Sequence, residues 1–529
     1  MRKIFFLFTC LCFYFFGLTQ SKIDVEHYKF HIDVNDKNDS IQCQAVISFK
    51  VKEKTNSIAF DLTSLNAGKG MQVKNVNTYD PYKEGHQFSH INNKVEIKKE
   101  FEKSTSSSFE ILYSGIPSDG LIISKTKYGH RSFFADNWPD RGHNWIPCNE
   151  DPADKATVEF IVTAPEHYQV VANGVQIEET SLGNGFKLTH WKEETPISTK
   201  VMVIGVADFA VNLAGVVNGN IPVYSWVYPE NRDKGFYDYA QAKEILEYYI
   251  SHIGPYGFKK LANVQSKTRF GGLENANTIF YSESSVSGTR KSEGLIAHEI
   301  AHQWFGNMAT EKSFAHLWLS EGFATYFTIL YFEHKYGKDT VIKMLKEDRS
   351  QVIDFSKKTT KAIVDTEETD YMKLLNANSY QKGGFVLHML RCELGDSAFW
   401  RSIRKYYATY AGSIADTRDL QKVFEEVSGK DLKQFFDQWL YTTGQPDLEI
   451  TWKHDDADKS LIIEVKQLQK NVFQFPLAFK INTSSGNKKE KVFVDKANSS
   501  FKIKQGDRPV SIIVDPDTEL LLKSSIKEK

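Results

Sequence analysis

The chain has 529 residues, 41% of them apolar and 25% charged, the balance of a globular protein with material for roughly two to four domains. Lys and Arg number 66 against 67 Asp and Glu, a net charge of −1, which gives no electrostatic footing for nucleic acid or an anionic membrane surface. Aromatic residues are plentiful, with 37 Phe, 24 Tyr and 9 Trp, as a β-rich core requires.

Residues 1–21 read as a secretory signal rather than as part of the fold. Arg2-Lys3 is a positive start, and Ile4–Leu18 is a mostly apolar run, shorter than the ~20 residues of a membrane helix. Cleavage is expected near Gln20, although the site lacks the small-x-small pattern; the alternative is a membrane anchor. The mature chain is expected to be secreted, periplasmic or extracellular, with no stable membrane span. Cys10 and Cys12 leave with the signal. Cys43, Cys148 and Cys392 remain, too widely spaced for a disulfide framework or a zinc finger, and no bridge is expected.

Residues 22–215 are expected to form an N-terminal β-domain. Tyr28, Phe30, Ile32 and Val34 alternate with polar residues, and Ile41, Cys43, Ala45, Ile47, Phe49 and Val51 do the same with one apolar interruption at Val46. Period two marks strands with one buried face. Asn173-Gly174 signals a tight turn, and Lys103–Ser108 a polar loop. The period changes over residues 216–445. Ile221–Tyr228 reads as a strand and Gly235–Ile253 as a helix, and helices dominate from Arg290 to Thr443, with stops at Gly306, Gly337, Gly395, Gly412, Gly429 and Gly444. Residues 446–529 return to short strands and predict a β-sandwich of about 80 residues.

His298-Glu299-Ile300-Ala301-His302 is the centre of the chain's chemistry. Imidazoles four apart share a helix face and can reach one metal ion. Zinc accepts imidazole nitrogen and carboxylate oxygen, and a catalytic site keeps one position open. Glu321, with eighteen residues between it and His302, is the candidate third ligand from a second helix. Glu299 points about 100° away from the histidines and is placed to act as a base. Asn307 and Thr325 are candidate partners for the outer ring nitrogens.

Gly271-Gly272-Leu273-Glu274-Asn275 stands upstream, with Trp318-Leu319-Ser320-Glu321-Gly322-Phe323-Ala324 and Tyr380-Gln381-Lys382-Gly383-Gly384 downstream. This set, in this order, resembles the aminopeptidase N family of zinc metallopeptidases, gluzincins that also include leukotriene hydrolase. The resemblance implies an α+β multidomain protein: an N-terminal β-saddle, a thermolysin-like α/β catalytic domain rich in helices, and a small C-terminal β-sandwich. It also implies one Zn2+ per chain on His298, His302 and Glu321. Zinc can lower the pKa of bound water from ~15.7 toward ~7, and Glu299 would take the proton. Tyr380 matches the family's tyrosine that stabilises the oxyanion. Glu274 matches the glutamate that binds the substrate's free α-amine, while Gly271, Gly272 and Asn275 lie in the stretch that runs along the substrate. Counting back from Arg141 suggests Asp136 as a second amine contact. Larger family members continue into a helical domain, and no such domain is expected here. The reading is a zinc aminopeptidase acting on peptides with a free N-terminus. Its rivals are an endopeptidase on the same scaffold, an epoxide hydrolase of the leukotriene type, and a binding protein with a silent metal site.

Overall fold

The computed structural model describes residues 21–79 and 84–529. The expected signal segment therefore lies outside the described residues, apart from Ser21.

Residues 22–207 build three sheets. The largest has seven strands in the order Val175–Gly183, Phe186–Ser198, Lys155–Pro165, Ile23–Asp33, Ile41–Val51, Ser106–Ile116 and Gly70–Thr78. Ile23–Asp33 pairs parallel with Lys155–Pro165 and antiparallel with Ile41–Val51. A bulge between Val25 and His27 explains a phase change in the sequence. Ile23 and Val25 are buried, and after the bulge the buried set becomes Tyr28, Phe30 and Ile32, because one extra residue exchanges the two faces. Val46 is buried alongside Ala45 and Ile47, so the strand's second face is covered at this one position, while Gln42 and Lys50 on the same face are exposed. A four-stranded and a three-stranded sheet complete the region. The polar loop expected at Lys103–Ser108 is shorter, because Ser106 already opens a strand paired with Lys50.

The domain boundary expected at 215 falls inside a strand. Ala210–Val217 pairs with Ile221–Val227 and forms the edge of a five-stranded sheet that continues through Leu261–Ser266, Thr278–Ser282 and Gly272–Leu273. That strand belongs to the second domain, and alternation alone could not name its partner. The helix expected over Gly235–Ile253 is two, α1 (Arg232–Tyr239) and α2 (Gln241–His252), broken at Ala240. Then come α3 (Glu293–Ala301), α4 (Trp318–Tyr336), α5 (Lys338–Ser356) and α6 (Gly383–Leu394). Gly337 and Gly395 close α4 and α6 with φ of 84° and 77°, a backbone that a Cβ disfavours. From Asp447 two sheets of four and three strands face each other across Leu448, Ile450, Ile463, Phe479 and Ile481.

Buried polar ties lock the N-terminal sheets to the helical domain. Lys200 and Glu311 form an ion pair sealed from solvent. Lys155 Nζ donates to the carbonyls of Asn307 and Met308 at 3.0 and 2.8 Å. Asn173 donates to Ala276 O at 2.7 Å, and Gly174 N to Asn277 Oδ1 at 2.8 Å. These bonds anchor the residues on either side of the metal-binding stretch. Cys43, Cys148 and Cys392 are free thiols, the first two buried.

Candidate metal centre and substrate cleft

α3 carries His298 and Glu299 and runs into His302, and α4 packs beside it with Glu321 in its first turn. His298 Nε2 and His302 Nε2 each lie 3.2 Å from Glu321 Oε2 and 3.1 Å from each other. His302 and Glu321 are buried, and His298 is mostly so. Two imidazole lone pairs and a carboxylate oxygen thus meet at one point, the only group of three or more metal-ligating side chains found among the described residues. The donor set fits zinc. A tetrahedral ion with bonds of about 2.0–2.1 Å needs its donors about 3.3 Å apart, close to the spacing here. The local charge agrees: although burial opposes it, the carboxylates of Glu321, Glu274 and Glu299 hold the His302 imidazole up at about 10. The cluster attracts positive charge.

The outer partners differ from expectation. His302 Nδ1 meets Phe305 O at 3.2 Å and Ser320 Oγ at 3.0 Å, which leaves Nε2 free to ligate. Asn307 serves another residue: its amide donates to Glu274 O at 2.6 Å. Thr325 packs where a Cβ on Gly384 would stand. A backbone carbonyl carries no sequence signature, so Phe305 was not readable.

A cavity of about 490 Å³ opens over this centre, lined by Gly271, Gly272, Glu274, His298, Glu299, His302, Glu321 and Tyr380. Its remaining walls are largely apolar, made by Trp138, Phe270, Leu295 and Leu375. Glu299 is almost fully buried. Burial and the nearby charges of Glu274 and Glu321 push its carboxyl well above the usual range. The Tyr380 ring stacks on His298 with centroids 5.9 Å apart. Burial and the charges of Glu321 and Glu274 keep its hydroxyl protonated.

Glu274 follows the edge strand Gly272–Leu273. Its carbonyl is clamped by Asn307 and by Gln303 Nε2 at 3.0 Å, so its backbone is fixed. Its carboxylate is buried, and Oε1 has no hydrogen-bond partner. A buried polar oxygen with no partner is costly, and here it borders the cavity.

Two expected substrate contacts are placed elsewhere. Asp136 has no exposed surface and is absent from the cavity wall. Its carboxylate pairs with Arg141 and accepts from Arg269 N at 3.1 Å and Thr268 Oγ1 at 3.4 Å. It is spent on holding the loop before Phe270. Trp138, two residues on, faces the cavity instead. Asn275 is also fully buried and off the wall, because the chain turns at Glu274, where Asn275 N donates back to Leu273 O at 2.9 Å. Sequence reasoning missed Trp138, Phe270, Leu295 and Leu375. Only Trp138, a large aromatic in a polar proline-containing segment, offered a signal.

The fold and the site together have the architecture of a metallopeptidase-type domain: two helices presenting His-His-Glu, a buried carboxylate beside them, and an edge strand along the cleft. The particular family follows from comparison. The Peptidase family M1 domain matches residues 237–439 and the Peptidase M1 N-terminal domain matches residues 24–201. The chain belongs to peptidase family M1. It is similar to the glutamyl aminopeptidase of Bitis rhinoceros, 24% identical over 89% of this chain and 52% of that one. It is also similar to probable aminopeptidase 1 of Sulfurisphaera tokodaii, 25% identical over 90% of this chain and 60% of that one. The crystal structure of Legionella pneumophila aminopeptidase A in complex with aspartic acid superposes with a TM-score of 0.82 at 17% identity, over 96% of this chain and 60% of that one. The chain spans little more than half the length of these relatives.

Proposed function

We propose that this chain is a zinc-dependent aminopeptidase that releases the N-terminal residue of peptides. The observation that carries the proposal is Glu274: a fixed, buried carboxylate with an unpartnered oxygen, on the wall of the cavity that holds the metal-ligating cluster. A peptide's free ammonium supplies the missing partner.

His298, His302 and Glu321 would hold the ion. When bound, zinc acidifies water and polarises the scissile carbonyl. The rest falls to the chain's own groups. Glu299, its proton affinity raised by burial, removes a proton from the attacking water and later delivers it to the departing amine. Tyr380, kept protonated, donates to the developing oxyanion. The Gly271–Gly272 backbone has no side chains to obstruct a substrate laid along it.

Residues 1–21 of the sequence also support a secreted protein with its leader removed. Among the described residues no helix is long and apolar enough to cross a membrane.

The test is metal analysis together with hydrolysis of aminoacyl chromogenic substrates. About one zinc per chain, chelator-sensitive turnover, and loss of turnover on N-acetylation are expected. Equal cleavage of the acetylated substrate would overturn the exopeptidase reading.

A further inference from the structure

We propose that Lys382 is a positioning residue: its buried ammonium ties the turn that carries Tyr380 to the joint between the catalytic domain and the C-terminal sandwich, and so fixes where the tyrosine hydroxyl stands. The inference rests on the role given to Tyr380 above.

Lys382 is 1% exposed. Its Nζ donates to Gly444 O at 2.8 Å, and among the described residues no carboxylate pairs with it. Burial alone moves its pKa, down to about 8. An ammonium taken out of water for one carbonyl is an expensive group. A methionine of similar length would fill the same volume without that cost. The lysine is therefore intelligible by what it holds.

It holds the last residue of a π-helical turn, Asn378–Lys382, with Tyr380 at its centre. The other sides of this turn are pinned independently. Asn378 Nδ2 donates to Lys361 O and Ala362 O at 3.2 and 3.3 Å, and Ser379 Oγ donates to Leu374 O at 2.7 Å. Just beyond the turn, Gly383 presses on Gly322, the neighbour of Glu321: a Cβ on Gly322 would fall 2.8 Å from Gly383 C. The side facing the sandwich is pinned through Lys382. Its acceptor is itself held. Gly444 has φ of 82°, and the next residue, Gln445, donates to Ser356 Oγ at 2.9 Å at the end of α5. The strut therefore runs from a rigid joint to the turn. A tyrosine hydroxyl stands far from its own backbone, so a rotation of the turn by roughly 10° displaces it by on the order of 1 Å, enough to cost about 100-fold in rate.

The experiment uses the full chain loaded with zinc and the variants Lys382→Met, Lys382→Gln, Tyr380→Phe and Lys382→Met/Tyr380→Phe. For Lys382→Met, kcat is expected to fall about 10- to 100-fold, with KM within about twofold and with zinc content and thermal midpoint near wild type. The decisive measurement is the double variant. If Lys382 acts through the tyrosine hydroxyl, removing the lysine from the Tyr380→Phe background changes nothing further. Multiplying losses would reduce Lys382 to a structural tie and overturn the proposal, as would an unchanged kcat in Lys382→Met. Should Lys382→Met fail to fold, Lys382→Gln, which keeps a neutral donor, is read by the same two criteria. Wild-type protein without zinc-dependent turnover, or Tyr380→Phe with full activity, would instead strike the reading of the site itself.

Discussion

Gly272 lies so close beneath Glu299 that a Cβ on the glycine would stand 2.5 Å from Glu299 Cδ and 2.6 Å from Cγ. The edge strand of the sheet is thus the floor on which the Glu299 carboxylate rests. The backbone there is ordinary strand, paired with Tyr281, so glycine is required for space and not for conformation. Gly272→Ala is expected to push Glu299 off its position and lower kcat/KM about 100-fold, while His298, His302 and Glu321 keep their zinc. Steady-state kinetics with metal analysis check this. Full activity would mean that the base tolerates displacement and is not working by position.

Glu274→Gln preserves shape and removes the charge. The amine is then met by a neutral amide instead of a carboxylate, a loss of about 1.5–3 kcal/mol, or roughly 10- to 150-fold in kcat/KM for free-amine substrates. N-acetylated peptides are expected to lose nothing, so the ratio between the two substrates shrinks. A ratio identical to wild type would show that the ammonium is bound elsewhere.

The cleft walls carry a further expectation. Trp138, Phe270 and Leu375 are apolar, three carboxylates line the same space, and no Lys or Arg among the described residues does. An acidic N-terminal side chain would face like charge with no cation from the wall to meet it. Leucyl and phenylalanyl substrates are expected to outpace glutamyl ones by at least about tenfold, from burial of roughly two or more methylene equivalents at ~0.8 kcal/mol each. A chromogenic panel measures it, and a preference for glutamyl substrates would refute it.

What was legible in the chain follows from locality. His298 and His302 declare themselves because a helix brings residues four apart together, and the second metal helix is apolar enough to be seen, with Phe323, Ala324 and Phe327 buried around Glu321. Strands with one buried face announce themselves by alternation. Three things were hidden. Which residue of 136–138 faces the cavity depends on what else claims its side chain, and Arg141 with the loop at 268–269 claims Asp136. The membership of Ala210–Val217 depends on its partner at 221–227. The outer partner of His302 is a main-chain carbonyl. Each depends on which of several neighbours, main chain included, a side chain or strand meets, and residue type and spacing do not encode that choice.

Asp154 provides a prediction about stability rather than turnover. It lies at the foot of the parallel strand pair, 5% exposed, accepting from Val25 N at 3.1 Å and from the Asn149 amide. Burial pushes its carboxyl up to about 7, against the pull of Lys52, whereas the unfolded chain releases that proton near 3.8. Between these values the native state binds more protons than the unfolded one, so stability must fall as pH rises. The contribution is fully present below about pH 4 and is lost as pH climbs through about 7. The Asp154→Asn substitution mimics the neutral acid at every pH: the new amide oxygen still accepts from Val25 N, and the Asn149 amide can turn its own oxygen toward the new NH2 by giving up only the long 3.4 Å bond it accepts from Asp151 N. This variant is therefore expected to melt near wild type at about pH 4.5 and several degrees above it at about pH 8. Thermal unfolding of the two proteins at both pH values measures the difference. A gap that does not change with pH would mean that Asp154 stays ionised in the fold, and that Lys52 outweighs its burial.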